Sequence, residues 1–319
     1  AIGELRVSLD LALLLKNKLR AEEIAGSDVR VLLQQRADGR NNWTFALPAN
    51  APAPAKSVKP LTPLTPNTLD QPDSAAYAEL VKRCQADLKA DGMFNLEAFM
   101  HPAPIARTLD YVLPKFDTEA FRHERKHNIY FKKSIPDVAA DSPLYTEFST
   151  SNLTLCSNQV SDTPVRQIYD WQPFVNFLSA VMRRAALYPM ADPLAGLNVI
   201  AYRDGQGLNW HFDRSEFTTT LLLQAPIKGS TFLYRTDLRS ADDPNHAGVE
   251  KLVRGEDPDV QALDAAAGTL NVFRGVNTPH CVTPAIGERP RVVSVLTYFE
   301  TPGAMFTDEE RLGFYGRTS

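Results

Sequence analysis

The chain has 319 residues, 44% of them hydrophobic and 23% charged, with a formal net charge of −4. That length can bury a catalytic-sized core with an extension; the composition is that of a globular protein, and the acidic balance gives no reason to expect nucleic acid as a partner. Three scattered cysteines, Cys84, Cys156 and Cys281, exclude a disulfide framework and a cysteine-type zinc site and fit a reducing cytoplasm. No apolar run approaches the roughly 18 residues of a membrane span, and Glu4 and Asp10 interrupt any secretory signal.

Residues 1–47 read as an extension of uncertain role. Leu9 to Leu19 has the pattern of a short amphipathic helix, and Val29–Leu33 and Trp43–Phe45 resemble strands around the turn pair Asp38-Gly39. From Pro48 to Pro72 seven prolines mark an extended linker, residues 48–73. A catalytic domain is expected over 74–319. Ser74 is placed to N-cap a helix over about 75–89, and Trp171 to Leu187 reads as a second helix with Pro173 in its first turn.

Between these helices, His123-Glu124-Arg125-Lys126-His127 matches H-E-x-x-H, a zinc-hydrolase signature when it lies on a helix. Its two central cations would repel Zn²⁺, and the strand-like Ile129-Tyr130-Phe131 follows at once. A charged turn or helix end is the plainer reading, with His127 or Arg122 at the mouth of another site as an intermediate one.

The rest is rich in strand signals: Leu197–Tyr202, Phe217–Gln224, Gly229–Tyr234, Gly268–Gly275 and Arg291–Phe299, with a polar run from Ser240 to Pro258 expected as a loop. Among them stand His211 and Asp213 two residues apart, and His280 67 residues beyond Asp213. Two imidazoles and a carboxylate in H-x-D…H order are the ligand set of the facial triad that holds Fe(II) on three sites and leaves the others open. The i, i+2 spacing suits a strand end, where both side chains leave one face.

In this context the stretch from about 197 to 300 resembles the iron(II)/2-oxoglutarate-dependent dioxygenases. The resemblance implies a mainly β fold with flanking helices, a double-stranded β-helix (jelly-roll, cupin-like) core. It implies Fe(II) on His211, Asp213 and His280, with 2-oxoglutarate and O₂ as cosubstrates. Arg291, eleven residues after His280, takes the place of the family arginine that pairs with the far carboxylate of 2-oxoglutarate, with Arg289 as its competitor. Tyr202 occupies a strand position that often touches the cosubstrate. The Trp210–Asp213 and Phe273–Gly275 segments and the closing Gly313-Phe314-Tyr315-Gly316-Arg317 are similar to a lineage of free-amino-acid hydroxylases and radical halogenases. Halogenases lack the carboxylate ligand, so Asp213 points to hydroxylation. The expected substrate is a small metabolite, an amino acid or a derivative. Arg214 and Arg274 are candidate cations for its acid group and Tyr315 a candidate lid residue. A zinc hydrolase using His123, Glu124 and His127, and a non-catalytic jelly-roll binding protein, are the alternatives.

Overall fold

The computed structural model describes residues 68–319 and, nearer the N-terminus, the backbone of two short paired strands, β1 (Val7–Leu9) and β2 (Ala21–Ile24). Leu9, at the head of the expected first helix, is the last residue of β1. The remaining expectations for residues 1–47, and most of the linker, lie outside the described residues. The chain divides into two units, Ala1–Ala51 and Pro52–Ser319, and the second holds the two large sheets and the helices that flank them.

The first helix of that unit is Ala75–Asp91, its first turn capped by the Ser74 hydroxyl, which accepts from the Tyr77 N–H at 3.1 Å. Gly92, at φ +69°, ends it in the left-handed conformation that glycine adopts at least cost. The strands then run β3 (Met93–Leu96), β4 (Phe121–His127), β5 (Phe148–Leu155), β6 (Tyr188–Pro189), β7 (Leu197–Tyr202), β8 (Leu208–His211) and β9 (Thr218–Gln224). They continue with β10 (Lys228–Gly229), β11 (Phe232–Tyr234), β12 (Gln261–Leu263), β13 (Leu270–Phe273), β14 (His280–Val282), β15 (Ala285–Ile286), β16 (Arg291–Leu296) and β17 (Tyr298–Phe299).

Two antiparallel sheets dominate. The larger has the order β3-β13-β9-β16-β7-β5-β4 and the smaller β12-β11-β14-β8. From β7 onward the chain passes repeatedly between them: β7 large, β8 small, β9 large, β11 and β12 small, β13 large, β14 small, β16 large. That alternation is the winding of a double-stranded β-helix, a jelly roll.

Burial explains the strand composition. On β7, Val199 and Ala201 face the helices while Tyr202 faces the interior between the sheets; β16 divides the same way, Val292 outward and Val293 inward. Strands covered on both faces read as continuous apolar runs. The outer face packs against Leu80, Cys84 and Leu88 of the first helix and Phe174, Phe177 and Leu178 of the helix Gln172–Val181.

Several expectations are corrected. The helix expected to reach Leu187 ends at Val181, and Arg183 turns the chain left-handed at φ +54°. The polar stretch 240–258 contains a helix, His246–Val253. It is capped by Asn245 and anchored by Val249 and Leu252, which bury one turn apart against Ile129, Phe212 and Leu238. The H-E-x-x-H segment is neither helix end nor turn but strand β4, and Ile129-Tyr130-Phe131 is a turn, not a strand. Among the described residues no helix is long and apolar enough to cross a membrane, and the three cysteines are free and buried.

Candidate metal centre

His211 ends β8, His280 begins β14, and the two stand opposite each other across the small sheet. Asp213 lies just past β8, so its carboxylate folds back over the pair. Asp213 Oδ1 is 3.4 Å from His211 Nε2, and Oδ2 is 3.5 Å from His280 Nε2. Among the described residues this is the one cluster of three or more potential ligand side chains, its donor atoms all within 4.8 Å.

Supporting contacts set the chemical state of each ligand. His211 Nδ1 is 2.8 Å from the Asn209 carbonyl and His280 Nδ1 is 3.1 Å from that of Thr278. A carbonyl only accepts, so each ring carries its proton on Nδ1 and turns the Nε2 lone pair toward the carboxylate, the tautomer a metal requires. Burial pushes the His280 pKa down to about 4, against the opposing pull of Asp213. Burial works to raise the Asp213 carboxyl, but the two imidazoles and the Thr218 hydroxyl outweigh it and hold the group well below the usual carboxylate range. A neutral His280 imidazole, the Nε2 that His211 turns inward and an anionic carboxylate make a donor set suited to a divalent cation.

Thr218 and Gly275 carry no sequence signal for the role the structure gives them. The Thr218 hydroxyl donates to Asp213 Oδ2 at 2.5 Å, and the Asp213 N–H donates to the Gly275 carbonyl at 3.0 Å. A Cβ on Gly275 would overlap Asp213 Oδ2 and come within 2.7 Å of both Asp213 Cβ and Thr218 Oγ1. Gly275→Ala is therefore expected to push the carboxylate off the imidazole pair and weaken Fe(II) binding by at least the ~10–100-fold that follows loss of a ligand's supporting contact. Metal titration of the folded variant checks this.

Arg291 and Tyr202 are cross-strand neighbours on β16 and β7 and share the interior face with Val293. Tyr202 is buried, and burial raises its hydroxyl to about 12; Arg291 opposes the shift and Asp213 adds to it. One phenol thus feels both the arginine and the Asp213 carboxylate. Among the described residues Arg291 makes no ion pair, and its Nε is buried without a hydrogen-bond partner. Burial lowers its pKa, which Tyr202 partly offsets. Arg289 is exposed and reaches only the Pro226 carbonyl, at 3.4 Å.

The candidate substrate residues fare differently. Arg214 is largely exposed and pairs with Glu310 at 2.9 Å. Arg274 pairs with Asp237 at 3.3 Å. Tyr315 is buried among Cys156, Met190 and Leu194 with its hydroxyl on Asn198 Oδ1 at 2.9 Å, which makes it a packing residue, not an exposed lid. The structure therefore brings together His211, Asp213, His280, Tyr202 and Arg291, and leaves these three outside.

On β4, His123 and His127 share a face, but four residue steps along the strand put them about 13 Å apart, too far to chelate one ion. Glu124 points the other way and is held by Arg122 at 2.5 Å. The zinc-hydrolase arrangement is absent from this segment. His127 instead stands beside the triad: its electrostatic neighbours include His211, and its Nε2 is 2.7 Å from Thr150 Oγ1.

No protein-family model and no curated protein matches the sequence. Solved structures with a similar arrangement include an oxidoreductase of the 2OG-Fe(II) oxygenase family from Burkholderia pseudomallei, 13% identical over 70% of this chain and 92% of that one, TM-score 0.44. Another is a prolyl-4-hydroxylase from Pseudomonas putida, 14% identical over 68% and 97%, TM-score 0.42. A third is AviO1 from Streptomyces viridochromogenes, 16% identical over 70% and 96%, TM-score 0.47. At these identities and TM-scores the likeness carries nothing about activity, which rests on the side chains described above.

Proposed function

We propose that this chain is an Fe(II)- and 2-oxoglutarate-dependent oxygenase that hydroxylates an unactivated C–H bond of a small metabolite, an amino acid or a derivative. The observation that carries the reading is the convergence of His211, Asp213 and His280 on one point, in the same interior as Arg291, which makes no ion pair among the described residues and whose Nε is buried without a hydrogen-bond partner. Two imidazoles and a carboxylate fit Fe(II), and a buried guanidinium fork fits a carboxylate. His211, Asp213 and His280 would hold the metal, and Arg291 the far carboxylate of 2-oxoglutarate, with Tyr202 beside it. Bound iron supplies what the side chains lack, activation of O₂ coupled to decarboxylation of 2-oxoglutarate to succinate and CO₂, with hydroxylation of the substrate. The protein contributes position and exclusion of water: Phe232 and Phe273 pack on the His280 ring at 5.5 and 4.7 Å, closing the inner side of the centre.

The test is succinate release by Fe(II)-loaded protein given 2-oxoglutarate and O₂, across a panel of amino acids and related metabolites. Succinate that rises with a panel member and disappears in His211→Ala is the expected result. Iron-loaded protein that never forms succinate, even without substrate, would make the chain a jelly-roll binding protein.

A further inference from the structure

The inner face of β4 carries His127, Arg125 and His123 at alternate positions, and this strip leads away from the metal ligands. Phe131 connects the two. Its ring stacks on His127 at 4.1 Å and meets the metal-ligand ring of His211 edge-on at 5.8 Å. The Arg125 guanidinium lies 4.7 Å over the same Phe131 ring and 5.7 Å over that of Phe314, from the C-terminal helix Asp308–Tyr315. A single phenyl ring therefore separates Arg125 from the candidate metal centre.

Arg125 is uncompensated. Among the described residues it makes no ion pair, and its Nε is buried without a hydrogen-bond partner. The charged group that bears on it is another cation, Arg214, whose own charge is met by Glu310. Arg274 is answered by Asp237, and Arg239 gives its Nε to the Val276 carbonyl at 2.8 Å. A half-buried guanidinium whose Nε has no acceptor and which meets no acid among the described residues costs stability, and the cost is recovered when a ligand brings the anion.

The ring beside it is held under strain. Phe131 adopts φ +55° while 39% exposed, a conformation bulky residues avoid and which clusters where residues meet ligands. Asn128 enforces it. Its Oδ1 accepts from the Tyr130 and Lys132 N–H groups, both at 3.1 Å, and its Nδ2 donates to the Lys132 carbonyl at 2.6 Å. The turn thus leaves part of the Phe131 ring exposed between His127 and an Arg125 guanidinium that meets aromatic rings but, among the described residues, no acid.

Resting on the oxygenase reading, we propose that Arg125 determines specificity by binding the substrate's carboxylate, and that the substrate is a small carboxylic acid whose apolar part lies against Phe131. One unanswered positive charge on a planar fork matches a monovalent carboxylate better than a dianionic phosphate.

The test uses full-length protein loaded with Mn(II) and saturated with 2-oxoglutarate, and reads paramagnetic broadening of ligand proton resonances. The probes are L-amino acids and 2-hydroxy acids, the primary amide of each, and methyl phosphate. Broadening of one or more acids but not of their amides is expected. Arg125→Gln should raise the acid concentration needed by roughly 10- to 100-fold. Arg125→Lys, which keeps the charge without the fork, should fall between and guards against a Gln variant that misfolds. Amides broadened like acids, an Arg125→Gln protein indistinguishable from wild type, methyl phosphate binding more tightly than any acid, or no acid broadened at all would each overturn the assignment. The resonances of 2-oxoglutarate report separately: their failure to broaden sinks the cosubstrate reading, while Arg125-dependent binding of acids would still support this one.

Discussion

An Asp213→Ala protein is expected to lose Fe(II)-dependent succinate formation altogether while keeping its fold. Asp213 supplies the anion of the cluster; its oxygens lie 3.4 and 3.5 Å from the two Nε2 atoms, and without it only the two imidazoles remain. Removing a contact that merely supports a ligand costs roughly 10–100-fold in metal affinity. Removing the charged ligand itself must cost more than that, so iron should wash out on desalting. The fold is expected to survive because the Asp213 backbone bond to Gly275 is unaffected and the polar partners of the side chain are the two imidazoles and the Thr218 hydroxyl. Asp213→Asn separates charge from shape: it keeps an oxygen near the imidazoles but not the anion, and it should also fail to retain iron. Iron content and succinate release, measured on protein with a native melting transition, decide the matter. Full turnover in either variant would remove Asp213 from the ligand set.

The triad was legible because its chemistry is local in type and nearly local in spacing. His211 and Asp213 are two residues apart, and the strand before them, Leu197–Tyr202, was bounded correctly because both of its faces are apolar. The place of Arg291 is legible in the same way, as a cation heading an apolar strand. What the sequence hides depends on partners far away in the chain. Arg214 and Arg274 look like free cations beside the ligands until the fold brings Glu310, 96 residues on, and Asp237, 37 residues back, to neutralise them. Tyr315 and Phe314 are neighbours in sequence, and only the packing of the last helix decides that the tyrosine is buried while the phenylalanine reaches Arg125 and Arg214. The β4 segment misled because H-E-x-x-H has meaning only at helical spacing; as a strand it alternates exposed and half-buried positions, placing Arg125 and His127 on the site side. Nothing in Asn128–Lys132 announces a left-handed Phe131, since the turn is set by an asparagine that could equally have faced solvent.

Arg291→Gln is expected to raise the 2-oxoglutarate concentration needed for half-maximal turnover by two orders of magnitude or more, with a much smaller effect on turnover at saturation. A fully desolvated charge pair that loses one partner typically costs about 2–5 kcal/mol, and every 1.4 kcal/mol is tenfold in affinity. The contact is made before and during the reaction alike, so its loss falls on KM and not on kcat. Arg291→Lys should recover only part of the loss, because a point charge cannot reproduce the two parallel bonds of the fork. Stability supplies an independent check. In the metal- and ligand-free protein Arg291 has a buried Nε without a partner and no ion pair among the described residues, so its positive charge opposes folding instead of aiding it. Replacing it with Gln should leave the melting temperature of the ligand-free protein unchanged or higher, even as cosubstrate binding collapses. A structural arginine would behave in the opposite way, with a lowered melting temperature and an unaltered KM for 2-oxoglutarate. Arg289, exposed and bound only to one carbonyl, is the internal control: Arg289→Gln should move neither quantity. If Arg289→Gln raised KM while Arg291→Gln did not, the cosubstrate carboxylate would belong to the outer arginine, and the solitary charge beside Tyr202 would need another anion.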